Sequence, residues 1–248
     1  MAKLPGILPL RGTIQEMTFA HTKNGVVVKK KTSVTKERMD TDPAYVRTRE
    51  SMADFKTASK SAKLLFTAFR NSIPAAKDSE LFTRTQALMR EAMSFDTSHG
   101  RGLKTVADGK PTLLEGFNFN TNSRLESLMF VEFTTTIDRV TGEVEVSLPA
   151  YVAEDVIVAP QGATHYRIVA TAAELNFTDF AQQHNKQETG YLPLDNQATA
   201  ASTLTCIVPE NSTHPLAVSI GIEFFIDDNG TKYPLKDGSA HAVVKVDA

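Results

Sequence analysis

Hydrophobic positions along the chain keep two periods, helical between about residues 42 and 95 and alternating both before that stretch and after about residue 125. The first segment is a strand pair: Ile14, Met17 and Phe19 lead to Lys23-Asn24-Gly25, and Val26-Val27-Val28 follow. Asn-Gly between β-prone runs predicts a hairpin, because a tight two-residue turn needs positive φ at its centre. The second strand ends in Lys29, Lys30 and Lys31. A two-stranded hairpin is marginal in water, so this one is expected to lie against something else.

The next segment is helical. Asp42 is a good N-cap and Pro43 suits the first helical position. Tyr45, Thr48, Met52, Phe55, Ser59, Ala62, Phe66, Phe69 and Ile73 then recur at spacings of three and four, an apolar stripe that Pro74 ends. Arg47, Arg49, Lys56, Lys60, Lys63 and Arg70 mostly fall off that stripe. A second helix is expected from Asp78 or Ser79, with Leu81, Phe82, Leu88, Met89 and Met93 as its apolar face, giving a helical hairpin.

Residues 96–124 are dense in turn formers, among them Asp96, Gly100, Gly102, Gly109 and Pro111, and predict a loop or linker. From residue 128 the period is two. Val131, Phe133, Thr135 and Ile137 pair with Val144, Val146 and Leu148 across Arg139-Val140-Thr141-Gly142. Further strands are expected at 155–159, 164–171, 173–178, 188–194, 202–209, 216–227 and 240–246. The fold class is therefore read as α+β: an N-terminal β-hairpin and helical hairpin, then a C-terminal antiparallel β-sandwich of immunoglobulin-like shape. The expected division is 1–95 for the hairpin and helical arm, 96–124 for the linker and 125–248 for the sandwich.

Charge sharpens this division. The whole chain of 248 residues has a net charge of only −2. Residues 1–110 carry 20 Lys and Arg against 11 Asp and Glu, whereas residues 111–248 carry 7 against 18. A basic half and an acidic half in one chain favour a head-to-tail contact between copies, which propagates into rings or filaments. At 41% hydrophobic and 23% charged, composition is that of a folded protein and excludes wholesale disorder. No apolar run approaches the roughly 18 residues of a membrane span, and Pro5 and Pro9 interrupt the N-terminus where a signal peptide needs a continuous apolar helix. The expectation is synthesis in the cytoplasm, with later release as part of a particle or filament allowed.

Candidate chemistry is sparse. No Gly-x-Ser-x-Gly elbow is present, and the single Cys206 alternates with Leu204 and Val208 as a buried residue would. His21, His99, His165, His184, His214 and His241 are scattered without zinc-ligand spacing, so no metal and no cofactor is assigned. Asp227-Asp228-Asn229-Gly230 reads as a hairpin turn rather than a calcium loop. His99-Gly100-Arg101-Gly102 has the makings of an anion cradle, but its dense glycine reads better as a flexible loop. Tyr151, Tyr191 and Tyr233 would supply stacking surface for a carbohydrate.

Leu10 to Ile14 with Met17 to Phe19, Asp42 to Glu50, and Asn211 to Leu216 resemble a family of uncharacterised Bacteroidota proteins. The resemblance implies no activity, ligand or catalytic residue. The order of hairpin, helix pair and β-rich body is similar in outline to self-assembling phage-type virion or tail components. The resulting expectation is a non-enzymatic structural protein, phage-derived in origin, whose partner is other copies of itself. It would build a tube, fibre or shell through Asn24, Gly25, Lys29, Lys30, Lys31, Arg47, Arg49, Lys56, Lys60 and Lys63. The alternatives are a carbohydrate- or small-ligand-binding sandwich module and a nucleic-acid-packaging protein acting through its basic half.

Overall fold

The computed structural model describes residues 2–3, 11–22, 25–30, 34–73, 78–235 and 238–248. The chain combines helix and antiparallel sheet, and parts into two compact units, Met1–Glu50 and Ser51–Ala248. The division thus falls after Glu50 rather than within 96–124.

In the first unit, β1 (Ala2–Lys3), β2 (Gly12–Ile14), β3 (Met17–Thr22) and β4 (Gly25–Lys30) form one sheet in the order β1-β4-β3-β2. The expected hairpin is β3–β4, registered from Met17↔Lys30 to Thr22↔Gly25. Gly25, with φ +109°, is therefore the first residue of β4, paired with Thr22. The segment of Ile14, Met17 and Phe19, read from sequence as the first strand of that hairpin, is two strands. Ile14 pairs with Met17 around Gln15, whose φ of +52° turns the chain. A short helix absent from the sequence reading, α1 (Lys36–Thr41), starts where the Thr35 side chain accepts from Arg38 N. Asp42 then accepts from Ala44 N and opens the single turn Pro43–Tyr45, which leads directly into α2 (Val46–Ala68). The sequence placed that cap and that proline correctly; Pro74 lies outside the described residues.

In the second unit α2 buries Ala58, Ser61, Ala62, Leu64, Leu65 and Ala68. This is the 3–4 stripe, turned slightly from the one read in sequence, and it is covered only from Ala58 onward. Met52 and Phe55 on the same helix stay half exposed. The second expected helix is α3 (Leu81–Ser94); Ser59 meets Gln86 and Phe55 meets Arg90, so the two helices run in opposite senses where they touch.

The rest of the unit is α4 (Leu125–Leu128), β5 (Thr134–Asp138), β6 (Glu143–Leu148), β7 (Tyr151–Val152), α5 (Ala153–Val156), β8 (His165–Asn176), β9 (Ala181–Glu188), β10 (Leu192–Pro193), β11 (Ala198–Thr199), β12 (Ser202–Ile207), β13 (Leu216–Asp228), β14 (Thr231–Pro234) and β15 (Ala240–Asp247). The strand expected at 155–159 is instead the turn of α5 followed by a single bridge from Ile157 to Met129. The two strands expected at 164–171 and 173–178 are the one long β8, and of the strand expected at 188–194 only Glu188, which ends β9, and Leu192–Pro193, which make β10, are strand. All pairings are antiparallel: β8 is bordered by β13, β9 and β10; β13 also pairs β14 and β15; and β12-β6-β5 make a separate three-stranded sheet.

The central strands explain why α2 and α3 are not a separate arm. On β13, Leu216, Val218, Ile220 and Ile222 join Ile168, Ala170 and Ala172 of β8 in one core cluster with Val144, Val146, Leu204 and Cys206 of the three-stranded sheet. At the centre of the two strands the alternate residues are small: Thr171 and Ala173 on β8, Ala217, Ser219 and Gly221 on β13. Ala173 and Ala217 pack in a second cluster with Ala62, Leu65, Phe69, Met89 and Phe119. The sheet is thus buried on both faces, and its small face takes the helices. Ser72 Oγ reaches Thr171 Oγ1 at 2.6 Å across that contact.

Residues 96–124 belong to this packing. Val106, Leu114 and Phe119 are buried. Gly116 N and Phe119 N donate to Val243 O and His241 O, so the segment extends the sheet beside β15.

Candidate assembly interface

Gly25, Lys29, Lys30, Arg47 and Arg49 lie in the first unit, and Lys56, Lys60 and Lys63 in the second; Asn24 and Lys31 lie outside the described residues. Within the first unit, pairing alternates the side chains of β3 and β4 between two faces. Phe19, Ala20, Val26, Val27 and Val28 are only half covered, and Ile14 and Met17 are 55% and 56% exposed. No described residue of this unit is buried. A sheet with a valine-rich centre and, among its described residues, no enclosed side chain lacks the hydrophobic term that ordinarily holds a small sheet together. Its first described residues after β1 lead into β2, which forms one edge of the sheet, with β1 at the other.

The basic groups differ in availability. Lys29 and Lys30 are exposed on β4, with Lys30 Nζ 3.5 Å from Glu16 across an open surface where such a pair contributes little. Arg47 pairs with Glu50 at 3.0 Å one turn along α2. Arg49 is committed to its own unit, donating to Met39 O at 2.9 Å and Asp42 O at 3.0 Å, where it caps the carbonyl end of α1. Lys56 is exposed. Lys60 Nζ stands 4.8 Å from the Phe180 ring, and with Lys63 it borders a depression floored by Leu64 and residues 179–182. The sequence grouped eight of these ten residues by charge and Asn24 and Gly25 by the hairpin turn; the structure gives Lys29, Lys30, Lys56 and Lys63 an open surface and Arg49 a structural task.

Among the other candidates Tyr151 and Cys206 are packed inside, whereas Tyr191 and Tyr233 stay about half exposed. Tyr151 is buried, its hydroxyl accepting from Tyr166 at 2.9 Å, and burial with that contact pushes its pKa up, so it offers no stacking face. Tyr191 packs edge-on to Phe225 at 4.8 Å with the Arg167 guanidinium over both rings. Cys206 is buried, and burial raises its thiol pKa.

Asp96, His99 and Asp108 come within ligand distance of one another, the one such trio among the described residues. Their bonds show what holds them there. Asp96 Oδ1 accepts from Ser98 N and His99 N, and Oδ2 from Thr105 N, all at 2.9–3.0 Å. Burial alone would raise the Asp96 pKa, but these donors and the His99 ring outweigh it and hold it down to about 2. With its lone pairs already taken, Asp96 organises a loop rather than waiting for a cation. The same bonds correct the reading of His99 to Gly102 as flexible: Gly102, at φ +84°, also donates its N–H to Asp54 Oδ1 at 3.0 Å.

The motif at Asn211 to Leu216 is likewise structural. Arg139, in the β5–β6 turn, donates to Ser212 O, His214 O and Asp247, while Asn211 N donates back to Arg139 O. Among the described residues no helix is long and apolar enough to cross a membrane. No family model, no curated protein and no solved structure matches the chain.

Proposed function

We propose that the chain is a non-enzymatic structural subunit that assembles head to tail with copies of itself. The single observation behind this reading is the first unit, a four-stranded sheet with no buried described residue and with Ile14 and Met17 more than half exposed. Such a surface is completed by a protein partner, either on its apolar face or by strand addition at its edge. Charge points to the partner. Residues 1–50 carry 10 Lys and Arg against 5 Asp and Glu, and residues 51–248 carry 17 against 24. One copy's first unit therefore complements another copy's second, and a contact between unlike surfaces propagates. The phage-type outline and an immunoglobulin-like sandwich for the C-terminal strands belong to the same proposal. Support for the sandwich is the core cluster that β6 and β12 share with β8 and β13.

Multi-angle light scattering and negative-stain imaging of the full chain test it. The expected result is rings or filaments at low salt that shorten as salt rises, since charges on the surface are screened beyond about 10 Å at 0.1 M. A homogeneous monomer at high concentration and low salt would overturn it.

A further inference from the structure

Apart from the assembly surface, α2, α3 and the 100–104 loop enclose a depression of about 360 Å³ in the second unit, lined by Ser51, Asp54, Arg90, Ser94, Arg101 and Lys104 with Met93 at its base. The geometry points to a binding site for a phosphate group, carried by a small phosphate monoester or as free phosphate.

Three cations and one carboxylate line this space, leaving two net positive charges. Elsewhere in the same unit arginines close on carboxylates: Arg84 on Asp78 at 2.5 Å, Arg139 on Asp247 at 2.5 Å, Arg167 on Glu223 at 2.6 Å. Arg90, Arg101 and Lys104 have no carboxylate within ion-pair distance among the described residues. The carboxylate that does line the space is engaged, since Asp54 Oδ1 accepts Gly102 N.

The cations are also held in place. Arg90 lies over the Phe55 ring at 6.0 Å, and Lys104 Nζ donates to Ser94 O at 3.1 Å, which fixes its ammonium beside the depression. Arg101 sits in a loop pinned at both ends, by Asp96 to Ser98, His99 and Thr105, and by Asp54 to Gly102. A site whose loop is ordered beforehand loses less entropy on binding. Guanidinium groups present paired N–H donors that match phosphate oxygens, and a phosphate dianion balances two positive charges where a single carboxylate balances one. The volume exceeds that of phosphate alone and admits a small ester group.

Isothermal titration of the full chain at pH 7.5 and low ionic strength, with inorganic phosphate, glycerol 3-phosphate and acetate as probes, tests the site. Saturable binding of one phosphate-bearing probe per chain is expected, with acetate at least tenfold weaker. The tighter of the two phosphate probes identifies monoester or free phosphate. Arg101→Gln and Arg90→Gln should each weaken binding roughly tenfold, the loss expected for one charge-assisted contact. Asp54→Asn should tighten it several-fold, because Asn keeps an acceptor for Gly102 N while removing the negative charge; a gain of affinity cannot come from misfolding. Absence of saturable binding, equal affinity for acetate, or unchanged affinity in Arg101→Gln at unchanged melting temperature would overturn the assignment.

Discussion

Gly221 and His241 face each other across β13 and β15, and His241 Nδ1 occupies the space that a Cβ on residue 221 would need. On its other side the ring is fixed by Ser219, whose Oγ lies 2.9 Å from His241 Nε2 and donates its own proton to Thr171 O at 3.3 Å. The hydroxyl has one proton to give, so Nε2–H is the donor toward it and Nδ1 is bare. Phe69 and Phe119 flank the imidazole, at centroid distances of 6.4 and 5.2 Å. A polar ring is thereby enclosed by Phe69, just past the end of α2, by Phe119 and by the sheet, with its one proton satisfied.

Gly221→Ala should destabilise the protein by about 1–3 kcal/mol, the range for overpacking a filled interior. Urea unfolding reads the change as a lower midpoint. In a double-mutant cycle with His241→Ala, the two losses should fall well short of adding, because removing the ring removes the clash. Full additivity would show that the contact does not limit residue 221.

Acid should weaken the fold in two separable steps. Burial, with a smaller push from the Lys186 charge, drives the His241 pKa from 6.5 down to about 3. As pH falls below 6.5, the unfolded chain takes up a proton that the folded chain refuses, so stability declines steadily toward pH 3. Asp96, held at about 2 against an ordinary 3.8, adds its loss only below about pH 4. Urea midpoints measured from pH 7 to pH 3 should therefore slope downward in the native protein. They should flatten above pH 4 in His241→Gln, while Asp96→Asn leaves the slope above pH 4 intact.

Arg139→Met should cost about 2–3 kcal/mol, since it leaves the carbonyls of Ser212 and His214 and the Asp247 carboxylate without their donor. Hydrogen exchange should report faster opening of residues 211–216 and of β15, and a melting temperature equal to that of the native protein would refute the clamp.

Ile14→Asp with Met17→Asp places two charges on a cross-strand pair that is exposed in the single chain. Melting of the second unit should stay within about 0.5 kcal/mol of the native value, as for surface changes generally. The assembly seen by light scattering should be lost. Polymers that persist with both substitutions would move the interface elsewhere.

Local signals were legible in the chain itself. Asp42 and Pro43 marked the start of α2, the 3–4 spacing its buried side, and the alternation around Val144 and Val146 the β5–β6 pair. Each is a preference of neighbouring residues and needs no distant partner. The surplus of Lys and Arg in residues 1–110 was equally plain, although the compact units divide after Glu50, so part of that surplus belongs to the second unit.

What sequence could not show is which face meets which. The small residues Thr171, Ala173, Ala217, Ser219 and Gly221 look like a weak strand pattern until α2 and α3 are laid on them, because their size has meaning only against the partner they let approach. In the same way, Gly221 makes room for a histidine twenty residues later, and Arg101 joins Arg90 and Lys104 only once Asp96 and Asp54 have drawn the loop in. The chain fixed its helix starts and strand periods through short-range preferences. The two-sided burial of the central sheet, the neutral His241 and the cationic depression arise from contacts between distant residues, and only the tertiary structure decided them.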